Sequence, residues 1–424
     1  MRVLWICSGL LPVACEVLGR SGRNGCGWLQ SMVSALVSID PSVEYCILCQ
    51  DARACDVRLG SVRHVSFGGT SRFTYRQVPQ TLQREIQGWI QSFKPDVIHI
   101  QGTEYFYGRL PAETYCDVPV VVSLQGLISG YHPHVNGELA PAEVWWTKFN
   151  LRGLLKGQTI WRDQTLFRET RTKQEAAVLC QQKYFIGRTE WDEAWVRYYH
   201  PTATYFKVNE NLREPFFSVR RERGGIRPHA IYCGGATSYP LKGAHWLIRA
   251  IAALRGEFPD IQLRVAAAEG LQSTRPLTSR LKDLAYHAYL RKLIRDLGVS
   301  EHIVALPSLS AERVADELRL AELFVLPSMC ENSPNSLGEA MLVGTPSIAT
   351  FVGGVPSILK DGVEGKLVPS GDPAALAGAI RRWFLHPEEA EAGVEAARQT
   401  ALKRHDAKAN AAATLAVYRE LIRC

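Results

Sequence analysis

The sequence lacks several features that would assign a protein to a function class at once. Among its 424 residues, no run reaches the ~20 uninterrupted apolar residues of a membrane-spanning helix. No internal repeat stands out, and the only compositional bias is an alanine-rich stretch near the end. The charge is not strongly of one sign, because 49 basic and 42 acidic residues leave +7. This modest positive charge permits an anionic partner without naming one.

Closely spaced cysteine pairs of the kind that bind zinc are also missing. The 11 cysteines are scattered, and only Cys46 and Cys49 have a CxxC-like spacing. Ile47 and Leu48 between them belong to an apolar, strand-like run. Because no second pair accompanies them, we expect buried thiols rather than a zinc or redox site. This usage favours a reducing compartment, so we expect a cytoplasmic protein.

The N-terminal residues have some features of a secretory signal. Arg2 precedes the apolar stretch VLWICSGLLPVAC, which ends at Cys15. Ser8-Gly9 and Pro12 interrupt that stretch, whereas the apolar core of a signal peptide is continuous. We therefore predict a first β-strand over 3–7, followed by a loop with several glycines.

The length exceeds that of one typical hydrophobic core, so we predict two α/β domains. Domain one is predicted over 1–218, a polar, glycine-containing hinge over 219–228 and domain two over 229–405, with a last helix in 406–424. Short apolar runs predict strands, and 3.6-residue periodicity predicts helices. Strands are expected at 3–7, 45–48, 97–100, 120–124, 184–186, 230–233, 262–267, 303–306 and 323–326, and helices at about 28–39, 79–93, 311–321 and 407–423.

The most informative stretch is 326–343, LPSMCENSPNSLGEAMLV. An apolar strand is broken by Pro327, and a helix is predicted to begin at Pro334-Asn335-Ser336, where proline is tolerated and Asn or Ser can cap. The free N–H groups and the dipole of such a helix start favour an anion.

Two carboxylates flank this helix start: Glu331 in the loop and Glu339 in the helix. Taken alone, the two acids are explained equally well without any ligand site. Glu331 would then be a solvated loop residue and Glu339 an ordinary acid of a helix start. The glycines that follow, at Gly344 and Gly353-Gly354, leave little side-chain bulk between a ligand and the main chain. Such a site suits a nucleotide diphosphate, with main-chain donors for phosphate and acids for hydroxyl groups.

The spacing Glu331-x7-Glu339 within ENSPNSLGEAMLVGTPSIATFVGG resembles the donor-site signature of the family-four retaining glycosyltransferases, bacterial polysaccharide type. The resemblance extends to Asp361-Gly362, Gly365 and 372–380, and more weakly to nearly the whole chain. It implies the GT-B architecture, in which two facing Rossmann-like domains form an interdomain cleft. The first domain is then on the acceptor side, the second binds the donor, and the last helix crosses back to the first.

The resemblance also implies roles for individual residues. Glu339 would bind the ribose hydroxyls, Glu331 the donor sugar hydroxyls, and Lys242 the donor diphosphate. The arginine that usually precedes this lysine is absent, since Ala236 and Thr237 stand there. Lys242 would therefore neutralise the phosphate as a single point charge. The donor site would be completed by backbone groups near Asn335, Ser336 and Leu337, by Gly235 and by Gln125.

Gln125 departs from the family, because many members have a histidine there that is thought to contact the donor sugar. An amide can hydrogen-bond a hydroxyl but cannot shuttle a proton. Position alone points to Gly25 and Gly27 in the acceptor-side loop, with Arg23 as a charge contact. His99 lies between apolar neighbours, so we expect a satisfied core histidine.

Residues 144–174 carry seven basic and two acidic side chains, interleaved with tryptophan and leucine. This composition fits a membrane-surface helix pair that contacts a lipid-linked acceptor. It also fits an ordinary surface helix with its aromatic side chains in the core, since mixed basic and aromatic helices are common. Both interpretations stay open, so peripheral association with the inner face of the cell membrane is one of two expectations.

The expected function is transfer of a sugar from a nucleotide diphosphate sugar to a hydroxyl of a glycan or lipid-linked acceptor, with retention. We expect no metal, because no DxD-like motif stands out and lysine can replace a cation, and no cofactor besides the donor. No nucleic-acid partner is expected, since no binding motif is present. The glycine loop has no clean GxGxxG, so NAD binding is weakly supported.

Three other functions would use some of the same residues. A glycosidase with two carboxylates is disfavoured, because both acids lie in a nucleotide-type site. A nucleotide-sugar epimerase of the same fold would turn over without an acceptor. A non-catalytic nucleotide- or glycan-binding subunit would bind ligand without turnover.

Overall fold

The computed structural model describes residues 1–20, 27–51, 53–68, 78–147, 159–271 and 285–423. Over these ranges the chain forms two compact α/β units. The first unit comprises Met1–Ser129, Arg168–Arg213 and Arg404–Cys424, and the second comprises Gly130–Phe167 and Glu214–Lys403.

Strands and helices alternate along most of the chain. The strands are β1 (Arg2–Cys7), β2 (Glu44–Gln50), β3 (Asp56–Leu59), β4 (Val62–Phe67), β5 (Val97–Gln101), β6 (Val120–Ser123), β7 (Tyr184–Gly187), β8 (Thr204–Lys207), β9 (Ala230–Cys233), β10 (Gln262–Val265), β11 (Ile303–Ala305), β12 (Leu323–Leu326), β13 (Ser347–Thr350) and β14 (Lys366–Val368). The helices are α1 (Pro12–Val17), α2 (Gly27–Ile39), α3 (Gln80–Phe93), α4 (Ile128–Tyr131), α5 (Pro141–Trp146), α6 (Ile160–Leu166), α7 (Thr172–Gln181), α8 (Glu190–Tyr199), α9 (Pro215–Ser218), α10 (Ala244–Leu254), α11 (Ala285–Asp296), α12 (Ala311–Leu320), α13 (Asn335–Val343), α14 (Pro373–Leu385), α15 (Pro387–Ala392), α16 (Val394–Arg404) and α17 (Ala407–Leu421). A π-helical turn, Phe167–Arg171, joins α6 to α7.

The first unit is built on a sheet with the order β3-β4-β2-β1-β5-β6-β7-β8. The pairs are parallel except for β3 with β4. The central strands β1 and β5 are almost wholly buried, as is typical of parallel strands covered on both faces. The strand order reverses between β1 and β5, and the carboxyl ends of strands at such a point are where α/β proteins bind ligands.

The C-terminal helix α17 belongs to this first unit and packs against α2. Tyr418 of α17 is fully buried, and its hydroxyl accepts a hydrogen bond from Trp5 Nε1 at 3.0 Å. At the surface, the guanidinium of Arg419 lies 2.9 Å from the carboxylate of Asp40 at the end of α2. The sequence interpretation expected the last helix to cross back to the first domain.

The second unit has a parallel sheet with the order β11-β10-β9-β12-β13-β14. Strands β9, β12 and β13 are buried along their whole length. One core cluster contains Ile231 of β9 and Leu323 of β12 together with apolar side chains of α10, α11 and α14. The order reverses between β9 and β12, so the carboxyl ends of these two strands define the place for a ligand in this unit.

The first predicted domain is interrupted by a segment of the second unit. Residues Gly130–Phe167 were predicted within domain one, yet they group with the second unit. The physical reason is packing, because Leu139, Val144 and Ile160 share the core cluster of α10 and α11. The Arg249 guanidinium of α10 also lies 2.7 Å from Glu143.

The predicted hinge at 219–228 lies inside the second unit. The passage from one unit to the other falls between Arg213 and Glu214. The Arg221 side chain, 4% exposed, pairs with Glu391 and donates to backbone carbonyl groups at the start of β12. Polarity and glycine content had suggested a linker, but the arginine is buried with partners.

The nine strand ranges predicted above agree with observed strands within two residues, whereas β3, β4, β8, β13 and β14 have no counterpart among those ranges. The edge strand β3 alternates exposed and half-buried residues and lacks an apolar run. None of the helices in the described ranges is both long and apolar enough to cross a membrane.

Candidate functional site

The candidate site of the second unit lies where β12 ends. The loop after Leu326 is held by backbone and side-chain hydrogen bonds from three directions. Met329 N–H donates to Leu241 O at 2.8 Å, the Thr350 hydroxyl donates to Ser328 O at 2.5 Å, and Gly354 N–H donates to Glu331 O at 2.9 Å. These hydrogen bonds hold the loop in one conformation.

Lys242 and Glu331, predicted as separate contributors, are in direct contact. Lys242 Nζ lies 2.6 Å from Glu331 Oε1, and Ser328 Oγ donates to the same oxygen at 2.8 Å. The Glu331 side chain is 7% exposed and that of Lys242 is 37% exposed. An ammonium group has three N–H donors, so Lys242 can keep this partner while it donates to a further anion.

A tight turn brings Lys242 against the loop. The 3₁₀ turn Pro240–Lys242 ends at Gly243, whose φ of 71° is left-handed. A Cβ atom on Gly243 would lie 1.9 Å from the carbonyl oxygen of Pro327, so only glycine fits there. The close approach of these two backbones determines where Lys242 stands.

The start of α13 differs from its predicted capping. Pro334 occupies the N-cap position, and no side chain caps this helix. Leu337 N–H donates to Pro334 O at 3.1 Å, so this predicted phosphate donor has a partner within the turn. Proline can occupy that position because its φ suits it and its missing N–H is not needed there. The N–H groups of Asn335 and Ser336 precede that bond and have no cap side chain as acceptor.

Glycines after β9 adjoin the same helix start. A Cβ on Gly234 would lie 3.8 Å from Ser336 Cβ, which puts the two turns in contact. Gly235 has φ of 63°, and a Cβ there would meet no atom within 4 Å. The predicted donor-site glycine therefore borders open space.

Glu339 and Asn335 complete this group on α13. Glu339 is 8% exposed, in the second turn of the helix. Asn335 Oδ1 is one of the buried side-chain oxygens, among those described, that lack a hydrogen-bond partner. Both side chains can accept hydrogen bonds from ligand hydroxyl groups. The structure thus brings all the site residues predicted in the second unit to one edge of its sheet.

Two further predicted site residues that the structure describes, Gly27 of the acceptor-side loop and Gln125 of the donor site, belong to the first unit. Gly27 is the first residue of α2, whereas Arg23 and Gly25 lie outside the described residues. Gln125 follows β6, and its backbone carbonyl accepts a hydrogen bond of 2.9 Å from Arg188 Nη2. No predicted site residue of this unit is thereby assigned to a ligand.

Sequence reasoning missed Arg188 and Glu210, which form a buried ion pair in the first unit. Their side chains are 5% and 10% exposed. Arg188 also donates to Leu124 O at 2.6 Å, and so it fixes the loop that contains Gln125. The two residues border a cavity of about 30 Å³ with Trp5, His99, Gln101 and Ser123. An arginine directly after a buried strand is costly unless paired, and that was the signal available in the sequence.

His99 is a satisfied core histidine, which confirms that prediction. Its ring is 4% exposed, with Nδ1 2.6 Å from the Tyr418 hydroxyl and Nε2 2.7 Å from Ser123 Oγ. Burial lowers the pKa of His99 to about 3. Its ring is therefore neutral at physiological pH.

The His99 pKa leads to a prediction about acid stability. Above about pH 6.5 the ring is neutral in the folded and unfolded chain, and below it only the unfolded chain takes up a proton. Stability from this group is therefore lost as the pH falls from 6.5 towards 3. The free energy of unfolding of His99→Gln minus that of the wild type should therefore rise as the pH falls. We expect a rise of about 1.4 kcal/mol for each pH unit from pH 6 down to pH 4. Urea unfolding at several pH values measures this, and His386→Gln, at an exposed site, is the control.

The pair Cys46 and Cys49 lies in β2, and both thiols are buried, as expected. Burial raises the pKa of Cys46 to about 12. In the part of the chain that the structure describes, no group of three or more His, Cys, Asp or Glu side chains is arranged to hold a metal ion.

Comparison with known proteins gives a match to one family model in the second half of the chain. Residues 228–400 match the family model described as Glycosyl transferases group 1. A D-inositol 3-phosphate glycosyltransferase of Streptomyces coelicolor is 34% identical over 151 residues, which is 35% of this chain and 31% of that protein. The match thus spans about a third of the length of this curated relative.

Solved structures resemble the chain over its full length. Sucrose-phosphate synthase from Thermosynechococcus elongatus has a TM-score of 0.68 at 16% identity, covering 100% of this chain and 99% of its own. HepE of Anabaena, in complex with UDP and glucose, has a TM-score of 0.65 at 14% identity, covering 98% and 99%. At such low sequence identity, the structural similarity shows the fold and nothing more. It confirms the predicted fold class of two Rossmann-like α/β domains.

Proposed function

We propose that the chain transfers a sugar from a nucleotide diphosphate donor to an acceptor hydroxyl, and the match of residues 228–400 to the model of the glycosyl transferases group 1 supports this. The acceptor is a glycan or a lipid-linked glycan, and the anomeric configuration is retained. The observation that supports this most is the meeting of Lys242, Glu331 and the start of α13 at the carboxyl end of β12. This arrangement offers a cation, backbone donors and a carboxylate to one ligand.

In the proposed reaction, the site stabilises the negative charge that develops on the donor phosphate. The bond between the anomeric carbon and the β-phosphate oxygen breaks, and negative charge grows on the phosphate. Lys242 and the N–H groups at the start of α13 donate to that charge, which is usually the largest catalytic contribution. The acceptor oxygen bonds to the anomeric carbon on the same face, and its proton passes to the departing phosphate. No metal or other cofactor takes part in this proposal, so chelation with EDTA should leave the rate unchanged.

The two acids then have separate tasks. Glu331 accepts hydrogen bonds from hydroxyl groups of the donor sugar while it holds Lys242. Glu339, one helical turn further along α13, accepts from the ribose hydroxyls. Support for a nucleotide diphosphate comes from the HepE structure, which contains UDP and glucose.

Ligand-induced thermal shifts test the donor site directly. The purified protein is heated with UDP, GDP, ADP or NAD, each with the wild type and with Glu339→Ala. A ligand at about 100 times its dissociation constant adds about 2.7 kcal/mol of stability. We expect one nucleoside diphosphate to stabilise the wild type and to act more weakly on the variant. Stabilisation by NAD alone would overturn the proposal, and Glu388→Ala, at an exposed site on α15, is the matched control.

An assay without acceptor separates the alternatives. An epimerase would convert the nucleotide sugar in the absence of any acceptor, whereas a transferase requires the acceptor hydroxyl. A non-catalytic subunit would bind the nucleotide diphosphate and show neither reaction. The proposed transferase should show product only when donor and acceptor are both present.

Exposed tryptophans in the second unit support a peripheral membrane contact. Trp145 of α5 and Trp161 of α6 are 57% and 56% exposed, and these two helices contact each other. Arg162 is exposed beside Trp161. Indole rings next to basic side chains suit the interface of an anionic membrane. We propose that this surface brings a cytoplasmic enzyme to the inner face of the membrane, where a lipid-linked acceptor would be found.

The membrane proposal predicts the behaviour of a double variant. Trp145→Ser with Trp161→Ser should reduce the partition coefficient of the protein onto vesicles at least tenfold, because burying one large apolar side chain contributes about 1.5–3 kcal/mol. Flotation with phosphatidylcholine vesicles, with and without phosphatidylglycerol, measures the effect. The control is Tyr198→Ser, which removes an aromatic ring that is 76% exposed in the first unit. Equal flotation of the wild type and the double variant would contradict the proposal.

A further inference from the structure

Residues 130–147, called the strap below, are inserted into the second unit between strands of the first. Strand β6 precedes the strap and β7 follows it along the chain, and both belong to the first unit. The strap contains the end of α4, a 3₁₀ turn at His132–His134 and α5. It contacts both loops that carry the charges of the candidate site.

The first contact is with the loop of Glu331. Tyr131 Oη accepts a hydrogen bond of 3.1 Å from the backbone N–H of Asn332, the residue after Glu331. The Cys330 thiol, directly before Glu331, donates to Gly130 O at 3.7 Å. Cys330 and Asn332 are 4% and 0% exposed, so water does not reach these positions freely. A buried N–H that loses its acceptor costs about 1–3 kcal/mol.

The second contact is with the turn of Lys242. Gly137 has φ of 68°, and a Cβ there would lie 2.5 Å from the carbonyl oxygen of Pro240, the first residue of that turn. Gly137 O accepts from Trp246 Nε1 at 3.1 Å and lies 2.9 Å from His245 Nε2. His245 and Trp246 belong to the first turn of α10, directly after Gly243.

The His245 tautomer follows from its two neighbours. Its Nδ1 lies 2.7 Å from the Tyr286 hydroxyl, which can donate, so Nε2 carries the proton that Gly137 O accepts. Burial lowers the pKa of His245 to about 4, and the ring is neutral. The contact is a neutral hydrogen bond and does not depend on a charged histidine near pH 7.

The far end of the strap is fastened to the same unit. Glu143 Oε1 lies 2.7 Å from Arg249 Nη2 of α10 and accepts from the Tyr289 hydroxyl of α11 at 2.7 Å. The strap is thus fastened to the second unit at its far end as well as at the two site loops.

We propose that the strap is a positioning element for the donor site and that Tyr131 sets the orientation of the Glu331 loop. Tyr131 acts through the Asn332 backbone, so it is a positioning residue and not a catalytic one. Its effect concerns the sugar and diphosphate end of the donor, because Tyr131 binds the backbone N–H of the residue next to Glu331. The substrate in this inference rests on the proposed function.

The test is Tyr131→Phe, which removes only the hydroxyl oxygen. Transfer should fall about tenfold in kcat, since small misplacements at a reacting centre cost one to two orders of magnitude. The dissociation constant for the free nucleoside diphosphate should stay within about twofold, while that for the nucleotide sugar rises. Tyr198→Phe, at an exposed tyrosine, should change neither constant. A parallel loss of nucleoside diphosphate binding would mean general damage to the site and would overturn the positioning role.

Amide hydrogen exchange keeps this test independent of the proposed function. In Tyr131→Phe, exchange should be faster in peptides covering 328–333, because the Asn332 N–H has lost its acceptor, and unchanged in β9. Unchanged exchange in 328–333 would overturn the inference, whatever the activity. If the wild type transfers no sugar but exchange rises as expected, the proposed function fails and the positioning of the loop by Tyr131 stands.

Discussion

Replacing Lys242 by alanine should lower kcat for sugar transfer by about 10²–10³-fold, which is the usual effect of removing one preorganised donor from a developing negative charge. The ammonium group is held 2.6 Å from Glu331 Oε1, so its position is set before any ligand arrives. The family arginine that would share this work is absent at Ala236 and Thr237. A single cation therefore provides the side-chain charge for the diphosphate in the proposed reaction.

The same substitution has a second consequence, because Glu331 is only 5% exposed. Removing Lys242 leaves a buried carboxylate that still accepts a hydrogen bond from the Ser328 hydroxyl. Part of the loss will then come from a displaced Glu331. A double-mutant cycle with Glu331→Gln separates the two effects, since residues in direct contact show non-additive losses. Additive losses would mean that the pair does not act as a unit.

Lys366→Ala is the matched control for Lys242→Ala. Lys366 also pairs with a carboxylate in the second unit, at 3.2 Å from Asp361, but both side chains are nearly half exposed. Such surface pairs contribute little, so transfer should stay within about twofold of the wild type. A loss below tenfold for Lys242→Ala would contradict the role assigned to this lysine.

Gly243→Ala should lower the free energy of unfolding of the second unit by about 4 kcal/mol. Few single substitutions cause a loss of that magnitude. Part of that cost is the left-handed backbone, about 1–2 kcal/mol for a residue with a Cβ. The rest is overlap, since the new Cβ would lie 1.9 Å from Pro327 O and that atom is backbone. One of the two chain segments has to move, and both carry the site.

The control for Gly243→Ala is Gly298→Ala. Gly298 has a similar φ of 63°, but a Cβ there would meet no atom within 4 Å. Only the backbone cost applies, so a loss of about 1 kcal/mol is expected. Urea midpoints followed by circular dichroism measure both variants. Equal losses would show that the overlap with Pro327 is relieved by small shifts.

The strands and the acid pair were predictable from local patterns. Short apolar runs such as Ala230–Cys233 and Leu323–Leu326 appear as strands with the predicted bounds, because buried parallel strands need unbroken apolar sequence. Glu331 and Glu339 have a characteristic spacing around a helix start, which sequence displays directly. The contact between the turn after β9 and the start of α13 also follows from the fold class, since the carboxyl ends of neighbouring parallel strands meet at one edge.

Local patterns failed where a residue's partner is far away in the chain. Arg221 appeared to belong to a polar hinge, although it is buried against Glu391 and the start of β12. The Asn and Ser side chains at the start of α13 suggested a cap, but the backbone of Pro334 already closes that turn.

The sequence by itself determined two α/β domains, and it predicted a candidate site at the end of β12 together with the two acids and the lysine of that site. These depend on residue type and spacing within short stretches of chain. The tertiary structure alone decided that Lys242 and Glu331 touch, that the strap belongs to the second unit and that Tyr131 reaches the Asn332 backbone. Those contacts join residues 89 and 201 positions apart, and only the packing of the whole unit sets their distances.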